Sequence, residues 1–238
     1  MDSHVIYQAS TMVALLSGLY DGTVTFGELK KHGDFGIGTF HQLDGEMIAF
    51  DGEFFHLYPD GTAQKVSLDE STPFSSVTFF EQQQTAPLNK AVTRQELEKI
   101  LDDLVPSPNL FHAIRIDGHF QEVHTRTVPH QDKPYPPFVE VTKSQPSFDF
   151  ADVDGVIAGF WTPAFAQGIA VAGYHLHFIN DVRDGGGHVM DFVLEQGTIS
   201  ICTCTDFQLA LPQDNAYLKQ DLSVADLERD IMIAEGSY

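Results

Sequence analysis

Three Asp-Gly dipeptides, at 44–45, 51–52 and 60–61, punctuate "FHQLDGEMIAFDGEFFHLYPDGTAQKV" between short apolar segments. Asp-Gly readily takes the positive φ angles that tight hairpin turns require, which commits this region to an antiparallel meander. "FSSVTFFEQQ" adds a strand, and Asp117-Gly118 within "LFHAIRIDGHFQEVHTRTV" predicts a further hairpin. Helices are fewer. Ile6, Met12, Val13, Leu16, Leu19 and Tyr20 fall near helical spacing and stop at Gly22, which predicts a first helix. Thr25 with Glu28, and Thr93 with Glu96, are capping-box pairs opening two more. The first of these is short and ends by Gly33; the second presents Leu97, Ile100, Leu101 and Leu104 on one face and is closed by Pro106. A last helix is expected after Ser223. The proline-rich stretch 129–147, with "PYPPF", marks a boundary between expected subdomains 1–145 and 146–238. The fold class is α+β: two subdomains on mixed or antiparallel β-sheets with a few helices.

Charge narrows the partners. The 34 Asp and Glu against 13 Lys and Arg give a net charge of −21, which repels phosphate backbones and anionic lipid. Nucleic acid and membrane are therefore not expected partners, and no stretch approaches the ~20 apolar residues of a membrane span. "MVALLSGLY" lacks the basic leader of a signal peptide, so the expected location is cytoplasmic. Cys202 and Cys204 are too few for a disulfide framework and read as reduced core thiols.

"GYHLHFINDVRDGGGHVMDF" (173–192) raises the chemical question. Side chains alternate along a strand, so His175 and His177 project from one face, roughly 6–7 Å apart. The glycine-rich loop lets the chain turn back, and His188 then opens the partner strand facing the first two. Three neutral imidazoles suit zinc or another divalent transition ion with a position left open. The competing reading is three separately hydrogen-bonded histidines. His4, His32, His41 and His56 have no such grouping, and Asp181 and Asp184 read first as turn formers.

Two further residues could serve such a centre. Glu46 follows a turn and shares its strand face with Ile48 and Phe50, so it is either an exposed strand end or a buried acid; taken alone, exposure is the commoner outcome. Arg126 in "EVHTRTVP" offers a planar fork for a carboxylate, though strand arginines are usually solvated. "GDFGIG" (33–38) lies between a helix and a strand, the wrong order for a dinucleotide fingerprint.

"HGDFGIGTF", "LDGEMIAFDGEFF", "NLFHAIRIDGHF", "HTRTVP", "GIAVAGYHLHFI" and "GGGHVMDF", in this order and spacing, resemble the α-acetolactate decarboxylases over about Val5 to Glu235. The resemblance implies decarboxylation of 2-acetolactate to acetoin and CO2 with zinc and no organic cofactor. It implies that a zinc-chelated ketone takes up the electrons of the breaking bond as an enediolate. It implies His175, His177 and His188 as metal ligands, Glu46 and Glu235 as acids beside the metal, Arg126 on the substrate carboxylate, Thr39 in the pocket wall, and a homodimer. The alternatives are a cupin-type oxygenase or isomerase, and a binding protein with structural zinc. A cupin would place Glu three or four residues after the second histidine; Asp181 stands there instead, and His188 comes early.

Overall fold

The computed structural model describes residues 4–223 and 227–235, with the side chains of 228, 234 and 235 outside that description. In chain order the elements are β1 (Val5–Ala9), α1 (Met12–Leu16), β2 (Val24–Thr25), α2 (Phe26–Leu29), β3 (Phe35–Thr39), β4 (Glu46–Phe50), β5 (Glu53–Leu57), β6 (Ala63–Lys65), β7 (Ser71–Thr72) and β8 (Ser75–Thr78). There follow β9 (Gln84–Leu88), β10 (Val92–Thr93), α3 (Arg94–Leu104), β11 (Phe111–Arg126), α4 (Phe138–Val141), β12 (Ser147–Thr162), β13 (Gly173–Asn180), β14 (Gly186–Cys204), β15 (Asp206–Ala210), α5 (Asn215–Lys219) and α6 (Leu227–Glu235).

Two sheets carry the molecule, and strands from both sides of residue 145 build each. The first runs β15-β1-β8-β3-β4-β5-β6, mixed because β15 lies parallel to β1. The second runs β10-β14-β11-β12-β13, antiparallel throughout, with β9 added on β14 and β13 also pairing with β14. The sheets pack face to face: Ile37, Ile48 and Phe50 of the first meet Val156, Ala158, Phe160 and Ile179 of the second. The reduced Cys202 and Cys204 are buried in this layer. Phe26 and Leu29 of α2 cover the outer face of the first sheet, and Leu97 and Leu101 of α3 that of the second. A third apolar cluster, with Met12, Leu15, Leu43, Phe138, Val141 and Ile231, draws α1, α4 and α6 together. The α+β expectation holds, and no helix is long and apolar enough to cross a membrane.

The meander forms as its turns require. Asp51 and Gly52 both have positive φ (53° and 72°) between β4 and β5, and Gly45 and Gly61 do likewise at the other turns. Thr93 and Glu96 make the complete capping box of α3. Two expectations are corrected. Residues 5–9 are a strand, not the start of a helix. They pair with β8 on one side and β15 on the other and are buried on both faces, so they lack the alternation that marks a strand in sequence. Ser10, at φ 64°, breaks the chain before Thr11 caps α1. Asp117-Gly118 is no hairpin either; it lies inside the unbroken β11. Arg115 occupies the Asp117 carboxylate with two bonds of 2.7 and 2.8 Å. Gly118 faces Gly155 and Gly197 on its two neighbours, where a Cβ would lie 2.5 Å from the Gln196 carbonyl oxygen. Glycine serves close strand approach here, not a turn. The Ser223 cap falls beside 224–226, outside the described residues.

Candidate metal centre and active site

Strand register assembles the histidines. His175 and His177 lie two apart on β13, and His177 stands directly opposite His188 on β14. The connecting loop closes through Asn180, whose side chain donates to Asp184 Oδ1 (2.7 Å) and accepts from the Asp184 amide (3.0 Å). Gly186 and Gly187 are needed for close approach: a Cβ on the first would meet the Phe178 carbonyl oxygen, and on the second the Arg126 carbonyl oxygen at 2.7 Å. The three ring centroids lie 5.1, 5.1 and 5.4 Å apart. One ligand atom from each ring falls within 4.8 Å of the others, the one such group among the described residues.

The state of these rings favours a cation between them. His177 Nδ1 is 2.8 Å from the Met47 carbonyl oxygen, which fixes it as the N–H donor and leaves Nε2 bare. That Nε2 is fully buried without a hydrogen-bond partner, and the nearby Glu46 Oε2 stands 3.8 Å away. Burial first, then the positive charges of Arg126 and Arg94, push His175 down to about 3. Burial and the neighbouring His175 hold His177 well below the usual imidazole range, against the opposing Met47 bond. Both imidazoles are therefore neutral near pH 7, the form that binds metal. A buried imidazole lone pair with no proton to receive fits a transition-metal ligand.

The remaining site residues converge on the same cavity. Glu46 is buried, against the commoner expectation for a strand-end acid, because β4 lies inside the first sheet and its first residue faces His177 of the second. Thr39 is its register partner on β3, and the Thr39 hydroxyl donates to the Gly45 carbonyl (2.7 Å), fixing the turn that precedes Glu46. Arg126 ends β11 directly opposite His188. Thr39, Glu46, Arg126, Gln145, His175 and His188 form the polar wall of the cavity, and Met12, Leu15, Leu43, Phe74, Val128 and Phe138 the apolar one.

Similarity to known proteins now bears on this geometry. A family profile described as Alpha-acetolactate decarboxylase matches residues 6–224. The chain belongs to the alpha-acetolactate decarboxylase family. It is 51% identical over 232 residues to the alpha-acetolactate decarboxylase of Bacillus subtilis strain 168, covering 98% of this chain and 91% of that one. The Lactococcus lactis subsp. cremoris alpha-acetolactate decarboxylase is 38% identical, with 97% and 98% covered. The crystal structure of the B. subtilis strain 168 protein superposes with a TM-score of 0.96 at 51% identity, covering 98% of this chain and all of that one. A Staphylococcus aureus protein described as similar to alpha-acetolactate decarboxylase gives 0.94 at 34% identity, covering 97% and 100%.

Within this family fold, six of the seven site residues expected from sequence meet at one place. The seventh, Glu235, is the last residue of α6, and its side chain lies outside the described residues. Asp181, the position a cupin would give to a ligand, is exposed in the turn and pairs with Arg183. Three contributors carried no sequence signal. The Met47 carbonyl sets the His177 tautomer; Arg94, at the start of α3, holds the Val189 and Met190 carbonyls just after His188; Gln145 lines the cavity from the proline-rich segment.

Proposed function

We propose that this chain catalyses the zinc-dependent decarboxylation of 2-acetolactate to acetoin and CO2, with His175, His177 and His188 holding the metal. The observation that carries this reading is the bare, buried Nε2 of His177 among three converging imidazoles. Membership of a family whose curated members bear that activity in their names supports the substrate. When bound, the ion supplies Lewis acidity toward substrate oxygens, strongest where negative charge develops.

The chain's own groups do the rest. Arg126 binds the substrate carboxylate with its planar fork and orients the C–C bond that breaks. A grip that persisted as the charge left the carboxylate would stabilise the ground state, so its contribution is placement more than attraction. Glu46 lines the same cavity and is an acid able to hand a proton to carbon; the family resemblance names Glu235 as a second such acid. Thr39 keeps the Glu46 turn in place through its bond to Gly45. The apolar wall from α1, α4 and Phe74 keeps water from competing for that proton. The reading carries with it a homodimer in solution.

Chelation tests it. Exhaustive treatment with a chelator, verified by metal analysis, is expected to abolish acetoin release from 2-acetolactate, and added zinc to restore it. Undiminished turnover by verified metal-free protein would overturn the mechanism. Full restoration by another divalent ion, with zinc absent from protein as isolated, would overturn the choice of metal.

A further inference from the structure

Gln145 enters the cavity from a segment with no regular structure of its own, and its placement follows from strand register. Arg126 on β11 pairs with Ser147 on β12, and the ladder continues one step further through the Thr127 amide to the Pro146 carbonyl (3.1 Å). Gln145 is two residues before Ser147, so its extended backbone (φ −64°, ψ 125°) returns its side chain to the Arg126 face. The preceding turn is stitched by the Ser144 and Thr142 hydroxyls, which donate to the Val141 and Val139 carbonyls at 3.1 and 3.0 Å. Among the described residues, none of these bonds uses the carboxamide oxygen.

Gln145 Oε1 is buried with no hydrogen-bond partner among the described residues. The side-chain oxygens of Ser75 and Thr127 share that condition, but neither residue lines the cavity. A buried acceptor left without a donor costs free energy, and a donor on a molecule bound in the cavity, a water or a substrate hydroxyl, would satisfy it. Resting on the decarboxylase reading, we infer that Gln145 accepts the hydrogen bond of the substrate's tertiary hydroxyl and selects 2-hydroxy acids over analogues without that group.

The chemistry of the substrate makes the match specific. 2-Acetolactate carries a carboxylate and a ketone, both acceptors only, and a single O–H donor. Arg126 presents donors and so answers the carboxylate. The hydroxyl wants an acceptor, and Gln145 offers a neutral one. Unlike a carboxylate, an amide oxygen holds the proton without removing it, so the hydroxyl stays intact while the neighbouring bond breaks. A site that leaves a buried acceptor unpaired rejects the analogue more strongly than an apolar pocket rejects a missing methylene.

The test compares the metal-loaded wild type with Gln145→Met, which keeps the length and removes the acceptor, and Gln145→Glu, which restores one. Turnover is measured on 2-acetolactate and on 2-methyl-3-oxobutanoate, its counterpart with hydrogen in place of the hydroxyl. Calorimetric binding is measured for the stable pair 2-hydroxyisobutyrate and pivalate, which differ by hydroxyl against methyl. Gln145→Met is expected to lower kcat/KM for 2-acetolactate about tenfold or more, to leave 2-methyl-3-oxobutanoate nearly unchanged, and to erase a wild-type preference for 2-hydroxyisobutyrate that Gln145→Glu retains. Equal losses on both substrates, or none on either, would overturn the assignment; Gln145→Ala gives the same comparison should the methionine variant not fold. If the wild type releases no acetoin at all, the decarboxylase reading falls, while the binding pair still decides what Gln145 recognises.

Discussion

At the scale of single residues, the folded protein holds His56, His112, His175 and His177 below the ordinary imidazole value, burial being the first cause in each. His56 is stacked between Phe40 and Tyr58, at 3.5 and 3.8 Å between centroids, and its Nε2 hydrogen-bonds the Asp44 carbonyl. His112 is fully buried between the Ser107 carbonyl (2.9 Å) and the Thr203 hydroxyl (3.2 Å). Burial is the larger cause in both, pushing each below the ordinary imidazole value against the hydrogen bonds that favour the charge. The sign follows from proton counting. Below the unfolded value of 6.5 the unfolded chain takes up protons that the folded protein refuses, so stability present above that pH is lost as pH falls toward the depressed native values. His119 works oppositely, raised first by its Asp154 hydrogen bond and also by Asp152, but it is only half-buried and both carboxylates are exposed, where screening keeps such pairs weak. The urea midpoint is therefore expected to rise from pH 5 to pH 7.5, and to rise less steeply in His56→Phe, which keeps the stack and removes the proton site. A parallel pH dependence in that variant would show that His56 contributes nothing to it.

Elements translate those residues into a site, and the glycines decide how closely they may approach. Gly159 on β12 lies opposite Leu176, between the two histidines of β13, and a Cβ there would collide with the His175 carbonyl oxygen. Backbone cannot rotate away as a side chain can, so β13 must move outward and carry His175 and His177 off His188. Gly159→Ala is expected to weaken zinc binding at least tenfold, on the order of the loss that follows displaced ligand support, measured by competition with a chromophoric chelator. Unchanged affinity would mean that the strand absorbs the methyl elsewhere. The same contrast explains what the sequence could and could not convey. Local signals survived: Asp51-Gly52 made its turn, Thr93 and Glu96 their capping box, and His-x-His placed two imidazoles on one strand face. Readings failed where the deciding partner was distant. Val5–Ala9 is a strand because β8 and β15 flank it, and Gly118 belongs to a strand because Gly155 and Gly197 press on it. Glu46 is buried by a second sheet that nothing around residue 46 announces, and Gln145 meets the cavity through a register set by β11. Arg126 and Thr39, weak on their own, became legible through the family resemblance.

The whole molecule adds a long-range term that no single contact expresses. The chain carries a net charge of −21, and among the described residues one side-chain cluster, His175, His177 and His188, is arranged to hold a cation. Beside His175 the local charges differ from that average: after burial, the positive charges of Arg126 and Arg94 lower its pKa further. Elsewhere the exposed carboxylates repel one another, and folding brings them closer than they stand in the unfolded chain, which destabilises the compact state. Surface ion pairs such as Lys31–Glu28 and Lys133–Asp21 offset little of this, being exposed and few against 34 acids. Salt should therefore favour folding. Raising NaCl from 0.01 to 0.3 M shortens the screening length from about 30 Å to under about 10 Å, less than the spacing over which most of these charges act. The melting temperature is expected to climb by several degrees over that range and then level off, because repulsion between distant carboxylates is removed before attraction within close pairs. A melting temperature that falls steadily with salt would mean that close ion pairs outweigh the net charge, and would reverse the assignment of the acidic surface as a cost to the fold.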